Sequence, residues 1–331
     1  MQFLITGGGG YIGTTLIPYI LKKGHNIRLI DKIFFGIKNT KKHKNLEIIN
    51  DDARNLDIEN FKDVDIVIDM VSISNDPSGE KFQKSTWDIN WKSRVECCRL
   101  AKKTNVKKYI LVSSCSIYGA TNHDVIVNEI SEPNPQTTYA KANRKAEVDN
   151  LKIADDKFEV IVLRLATAFG VSKRMRFDLA INAMTLNAMN SNQIPLMRDG
   201  NQWRPFVHVK DISRAITHFC EIKTKSLNSK IFNIGSKKNV CQLSELGKII
   251  KNCIQEQSDK NNEIKIKWYG DPDIRSYNVC FKKLEETGFK SKFDIKYGVN
   301  EILNAIKSKN LSKTPDTITL DWYTQLNAFN G

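Results

Sequence analysis

The run Thr6-Gly7-Gly8-Gly9-Gly10-Tyr11-Ile12-Gly13 carries glycines at 7, 10 and 13, the spacing GxxGxxG. An apolar run, Phe3–Ile5, precedes it, and a helical stretch follows. In that setting one glycine turns tightly, one lets backbone approach a pyrophosphate, and one lets helix and strand pack closely. The helix N-terminus then stabilises the phosphate charge. Gly7, Gly10, Tyr11, Ile12 and Gly13 are the expected cofactor contacts. Asp31 ends the second β-rich run, 18 residues beyond Gly13. A carboxylate there accepts hydrogen bonds from ribose hydroxyls and repels a 2′-phosphate, so NAD is expected over NADP. Lys32 beside it weakens that preference slightly.

These residues need a scaffold of a particular kind. The runs Phe3–Ile5, Ile27–Ile30, Leu46–Ile49, Ile66–Ile68, Tyr109–Val112 and Val160–Leu163 are rich in β-branched residues, with little polar alternation. Buried parallel strands have that composition. Between them, Tyr11–Lys23, Lys92–Lys103 and Thr138–Ala154 are long enough to be crossover helices. The alternation predicts an α/β protein with a Rossmann-type doubly wound parallel sheet. After about residue 170 helical stretches dominate: Phe177–Met189, Val209–Glu221, Gln242–Gln255 and Tyr297–Lys307. Short strands are expected at Phe206–Val209, Lys230–Ile234 and Ile264–Trp268. Residues 1–170 therefore read as an NAD-binding domain. Residues 171–331 read as mainly a smaller, mixed α/β substrate-binding lobe, with some segments returning to the sheet. Ser226–Lys230 and Gln257–Asn262 read as surface loops, and the tail from Leu311 has no strong periodicity.

The chain has 331 residues, 40% hydrophobic and 27% charged, as in ordinary soluble globular proteins. No apolar run reaches the ~18–20 residues that span a bilayer. The N-terminus has no basic segment followed by an apolar one, so a cytoplasmic location without membrane attachment is expected. Seven cysteines, an odd number without any CxxC, read as buried thiols rather than a disulfide framework or a zinc site. His208 and His218 lack a third ligand, so no metal is expected. The net charge of +14 is spread along the chain, densest from Lys38 to Lys44, without aromatic interleaving. That favours a solvated basic surface, with steering of an anionic substrate as the alternative and no nucleic-acid partner.

With these motifs in this order, the chain resembles the extended short-chain dehydrogenase/reductase family, in its branch of nucleotide-sugar epimerases and dehydratases. The resemblance runs to about Phe289 and implies a nucleotide-diphosphate sugar as substrate. Asp52-Ala53-Arg54 is similar to the family's Asp-x-Arg, which puts Asp52 and Ala53 beside the adenine; a helix-capping Asp52 is the alternative. Met70-Val71-Ser72 resembles the family's small-residue segment near the cofactor, and Asn90 its cofactor-touching Asn. Ser113-Ser114-Cys115-Ser116-Ile117-Tyr118-Gly119 resembles the segment that carries the catalytic Ser or Thr, here Ser114. Cys115 and Ser116 stand where dehydratases carry an Asp-Glu pair. No carboxylic acid is then available to protonate a leaving C6 hydroxyl, which argues against 4,6-dehydration.

Tyr139-Ala140-Lys141-Ala142-Asn143 resembles the family's Tyr-x-x-x-Lys helix, which makes Tyr139 the acid/base. A tyrosine with a pKa near 10 is a poor base at neutral pH. In the family the lysine at i+4, on the same helix face, lowers that value and binds the nicotinamide ribose. Asn143 stands there instead: able to hydrogen-bond the ribose, but uncharged. Lys141 points to another face and Lys145 is more than a turn and a half away. Three consequences remain open. The charge comes from the nicotinamide ring or a lysine elsewhere, or the reaction is slow or halted after oxidation, or the protein is a weak catalyst or binder.

Thr167, in Arg164-Leu165-Ala166-Thr167-Ala168-Phe169-Gly170, replaces the family's Asn. Arg176, in a segment that begins a helix, joins Ser114, Cys115, Ser116 and Thr167 as an expected substrate contact. Arg204 and Arg275 resemble the two arginines that clamp the diphosphate. The resemblance implies oxidation of a sugar hydroxyl, expected at C4, ending in epimerisation or net dehydrogenation. A non-catalytic NAD-binding sensor or assembly protein of the same fold is the rival, motivated by Asn143. A homodimer is also implied, through the helices near Lys92–Lys103 and Thr138–Ala154.

Overall fold

The computed structural model describes residues 1–36, 43–121, 125–222, 230–257 and 263–329. Most of the Lys38–Lys44 run and of the two polar stretches near 226 and 258 lies outside the described residues.

Seven parallel strands form the main sheet, in the order Ile231–Ile234, Glu159–Leu165, Lys108–Ser114, Ile66–Asp69, Gln2–Thr6, Asn26–Asp31, Leu46–Asn50. The chain reverses direction across the sheet between Gln2–Thr6 and Ile66–Asp69, the switch point where such sheets open a crevice at their carboxyl ends. Side chains alternate between two buried faces, as strand geometry requires. Ile5, Ile68, Ile110 and Leu163 pack under the helices Gly13–Lys22 and Val209–Glu221. Leu4, Val67, Leu111 and Val162 pack under Arg94–Lys103 and Thr138–Leu151.

A second core lies beyond the strand ends. Phe169, Ile181, Met184, Leu196, Leu246, Ile250, Val299 and Ile302 are buried together there. The helices Ala180–Ser191, Leu243–Glu256 and Ile295–Lys307 supply most of them. Several elements have no counterpart in the expectations from sequence, and two of them bear on the site or its lobe. One is the strand Gln193–Met197, paired in parallel with Lys265–Tyr269. The other is the short helix Thr319–Gln325, whose Tyr323 packs with Ile73 and Ile89 against Phe34, Phe35 and Phe329. The first crossover helix starts at Gly13 rather than Tyr11, which leaves the glycine loop free as a turn. The segment around Arg176 precedes its helix rather than beginning it, because Leu179 is the N-cap residue.

Candidate active site

A cleft of about 640 Å³ opens at the carboxyl ends of the central strands, within the roughly 300–1,000 Å³ usual for ligand sites. Gly7, Gly10, Tyr11, Ile12 and Gly13 line one end. Gly7 has φ +70°, and a Cβ there would stand 2.6 Å from Val71 Cα. A Cβ at Gly13 would stand 2.2 Å from the Gly8 carbonyl oxygen, whereas one at Gly10 would meet only Gly7 O, at 3.5 Å. Gly7 and Gly13 are therefore fixed by the fold itself, and Gly10 by open space beside the loop. The N–H groups of Tyr11 and Ile12 have no partner among the described residues, as expected of donors reserved for an anion at a helix N-terminus. This cradle fits a dinucleotide. The Tyr11 ring does not take part: its hydroxyl donates to Gly170 O at 2.5 Å and accepts from Asn182 Nδ2 at 3.2 Å.

Asp31 Oδ2 accepts the Gly9 N–H at 2.9 Å and Oδ1 the Ile33 N–H at 2.7 Å. Burial raises its carboxyl above the ordinary value, against both bonds. Asp52 does two things at once. It caps the turn Ala53–Asn55, accepting the Arg54 N–H at 2.9 Å, and it lines the cleft beside Ala53. Val71 lines the cleft, but Asn90 does not. The Asn90 amide is consumed by Ile73, accepting its N–H at 2.8 Å and donating to its carbonyl at 3.1 Å. It shapes the wall from behind.

At the other end the strand Lys108–Ser114 delivers two serines in opposite directions. Ser113 Oγ donates to buried Glu147 at 2.6 Å. Ser114 faces the cleft, which Tyr139 also lines, and accepts the Ser116 N–H at 3.1 Å. Thr137 caps the helix that carries Tyr139, accepting the Ala140 N–H at 3.2 Å. Burial raises the Tyr139 phenol above its usual value and the Asp76 charge adds to this; the neighbouring Ser114, Arg94 and Arg176 oppose it. Ser116 and Thr167 line the cleft, and the buried Ser116 hydroxyl has no partner among the described residues. Cys115 is turned away: its Sγ donates to Arg164 O at 3.3 Å, and burial pushes the thiol up. Asn143 is 1% exposed and sits behind Tyr139, outside the cleft lining.

Arg176, Arg204 and Arg275 all reach the cleft. None is a free fork. Arg176 grips Asp178 through two bonds, at 2.9 and 2.8 Å. Arg204 Nη2 and Arg275 Nη2 both bond Asp273 Oδ2, at 2.9 and 2.8 Å, and Arg275 also reaches Asp76. The two arginines meet as expected, with a shared carboxylate between them.

Four further residues emerge only from the structure. Asp76 bridges Arg275 and Thr137. Arg174 lies 3.6 Å over the Phe35 ring, with its Nε unpartnered among the described residues. Tyr323 and Phe329 of the tail complete the cleft wall. A cation stacked on an aromatic ring leaves no spacing signal in a sequence, and neither does a tail held by packing.

The six buried cysteines and Cys280 are all unpaired thiols. Among the described residues no helix is long and apolar enough to cross a membrane.

Comparison with known proteins places this geometry. A Methanocaldococcus jannaschii protein with the provisional name UDP-glucose 4-epimerase is 27% identical over 93% of this chain and 99% of its own length. The UDP-N-acetylglucosamine 4-epimerase of Methanobrevibacter ruminantium shares the fold with a TM-score of 0.81 at 22% identity, covering 93% of this chain and 98% of that one. The UDP-glucuronic acid 4-epimerase of Bacillus cereus, solved with UDP-glucuronic acid and NAD, superposes with a TM-score of 0.80 at 20% identity, covering 93% and 100%. The family described as "NAD dependent epimerase/dehydratase family" matches residues 3–235. With its glycine cradle, its cleft-lining Asp31 and that match over more than half its length, the chain belongs to the NAD-dependent epimerase/dehydratase family, and its cofactor is NAD.

Proposed function

We propose that the protein oxidises the C4 hydroxyl of a nucleotide-diphosphate sugar and works as a 4-epimerase. The carrying observation is that Ser114 and Tyr139 line one cleft together, between the glycine cradle and Arg204 with Arg275. When bound, NAD supplies the hydride acceptor and donor. Ser114 orients the sugar hydroxyl and Tyr139 takes its proton. Arg204 and Arg275 exchange Asp273 for the diphosphate oxygens, so substrate entry requires both side chains to swing.

Two features favour epimerisation over the other outcomes. No carboxyl side chain stands at 115 or 116, so dehydration lacks its acid. The tail packs Tyr323 and Phe329 against the cofactor end, which favours a cofactor retained between oxidation and return. Residues 171–331 supply mainly the substrate side, and the unit is a cytoplasmic homodimer.

The test is to denature the purified protein and identify what it releases by mass spectrometry. NAD or NADH with a nucleotide sugar is expected. NADP, or a folded protein that neither carries nor binds NAD, contradicts the reading. Arg275→Ala should raise KM for the nucleotide sugar tenfold or more with NAD binding unchanged.

A further inference from the structure

A tyrosine that must accept a proton near neutral pH needs a positive charge close by. Tyr139 has none on its own helix. Lys141 is exposed, Arg144 turns to Glu147 at 3.3 Å, and Lys145 is held by Asp149 at 3.0 Å on the surface. Asn143, at i+4, is uncharged.

Behind Asn143 lies a buried cation. Arg94, 1% exposed, donates from Nη1 to Asn143 Oδ1 at 3.0 Å. Asn143 Nδ2 in turn donates to the backbone carbonyl of Tyr139 at 2.9 Å. The remaining guanidinium donors are committed elsewhere: Nε to Asp69 Oδ2 at 3.2 Å, Nη2 to the carbonyls of Asp69 and Val112 at 2.9 and 2.7 Å. Asp69 also accepts Thr6 Oγ1 at 2.6 Å and the Tyr109 hydroxyl. Its negative charge is thus shared among several donors, on the Nε and Nη2 side of the guanidinium, while Nη1 points to the Tyr139 turn. The other cation near Tyr139, Arg176, is gripped by Asp178.

We infer that Arg94 is a positioning residue for the Tyr139 reaction: its buried charge, coupled to the tyrosine helix through Asn143, takes the electrostatic part that a lysine at 143 would take. This rests on the reading of Tyr139 as the acid/base. In that step one proton passes from the sugar hydroxyl to Tyr139 Oη; the O–H bond of the sugar breaks and that of the phenol forms. Arg94 favours the phenolate before transfer. Asn143 keeps one amide hydrogen free of any partner among the described residues, on a side chain locked by two bonds.

The charged groups that bear on Tyr139 are Asp76 from the helix Asp76–Lys81, Arg94 from the helix Arg94–Lys103, and Arg176 from the segment before Ala180–Ser191. The experiment uses full-length, NAD-loaded protein carrying 13Cζ-tyrosine, with Tyr139→Phe to assign the signal. Arg94→Thr and Asn143→Ala should each raise the Tyr139 titration midpoint by at least one unit. They should lower kcat at least tenfold, with KM for UDP-sugars within threefold. The swap Arg94→Thr/Asn143→Lys should bring midpoint and kcat back towards wild type. Asn143→Ala leaves the Arg94–Asp69 pair in place and decides the matter if Arg94→Thr does not fold. An unchanged Tyr139 midpoint in folded Asn143→Ala or Arg94→Thr overturns the inference. If wild type turns over no nucleotide sugar, the proposed function fails, while the midpoints still decide the part of Arg94.

Discussion

The carboxylate of Asp31 holds the glycine loop directly, accepting the Gly9 N–H at 2.9 Å across 22 residues of sequence. A Cβ on Gly9 would stand 3.0 Å from that carboxyl carbon. The acidic residue at the end of the second strand is therefore a strut for the glycine turn, and as a ribose acceptor it would act on the cofactor twice. Asp31→Ala should weaken NAD binding at least tenfold and narrow its margin over NADP, measured by calorimetric titration with both. Unchanged NAD affinity would remove Asp31 from the site.

The glycines divide into two kinds. Gly10→Ala puts a methyl into space met only by Gly7 O at 3.5 Å, an ordinary contact. Its melting temperature should stay within a few degrees of wild type while NAD affinity falls. Gly13→Ala drives a Cβ to 2.2 Å from Gly8 O and should lower the melting temperature itself, since overpacking costs roughly 1–3 kcal/mol. Thermal melts with and without NAD separate the two.

The tail should control cofactor retention. Tyr323 and Phe329 line the cleft and stack edge-on, with ring centroids 5.1 Å apart. Trp322 Nε1 donates to Phe34 O at 2.7 Å, which ties the tail to the loop after Asp31. Tyr323→Ala/Phe329→Ala should release NAD at least tenfold faster in stopped-flow fluorescence. An unchanged release rate would make the tail a bystander.

Acid stability should depend on Glu301. Burial alone would raise its carboxyl, but bonds from His208, Lys210 and the Val171 N–H outweigh this and bring it from an ordinary 4.5 to about 2. A depressed folded value means stability fully present above pH ~4.5 and lost as pH falls towards ~2. Glu301→Gln should flatten that limb in urea unfolding at pH 3 to 7. A limb of wild-type steepness would contradict the pairing.

What the sequence made legible follows from the range of the interactions. The glycine loop and Asp31 are local spacing rules, and the sheet strands are apolar runs whose positions agree within a residue or two. Val209–Glu221 was readable end to end because its apolar positions recur at helical spacing. Gln193–Met197 was not, because five residues containing Pro195 carry little pattern, and its pairing with Lys265–Tyr269 is tertiary. The helix Thr319–Gln325 is held by aromatic contacts rather than by its own periodicity. At the site, Asn143 was visible as a departure. Its answer, Arg94, was not, because 49 residues separate them and only burial makes the contact decisive.

The most direct test of the central claim is to mix NAD-loaded protein with UDP-glucose, UDP-glucuronic acid or UDP-N-acetylglucosamine. Bound-cofactor absorbance at 340 nm and the C4 epimer by proton NMR are then followed. Transient reduction and a C4 epimer are expected from at least one of them, with Tyr139→Phe at least ~100-fold slower. A folded, NAD-loaded wild type that converts none of them, or a Tyr139→Phe protein that turns over normally, would contradict it.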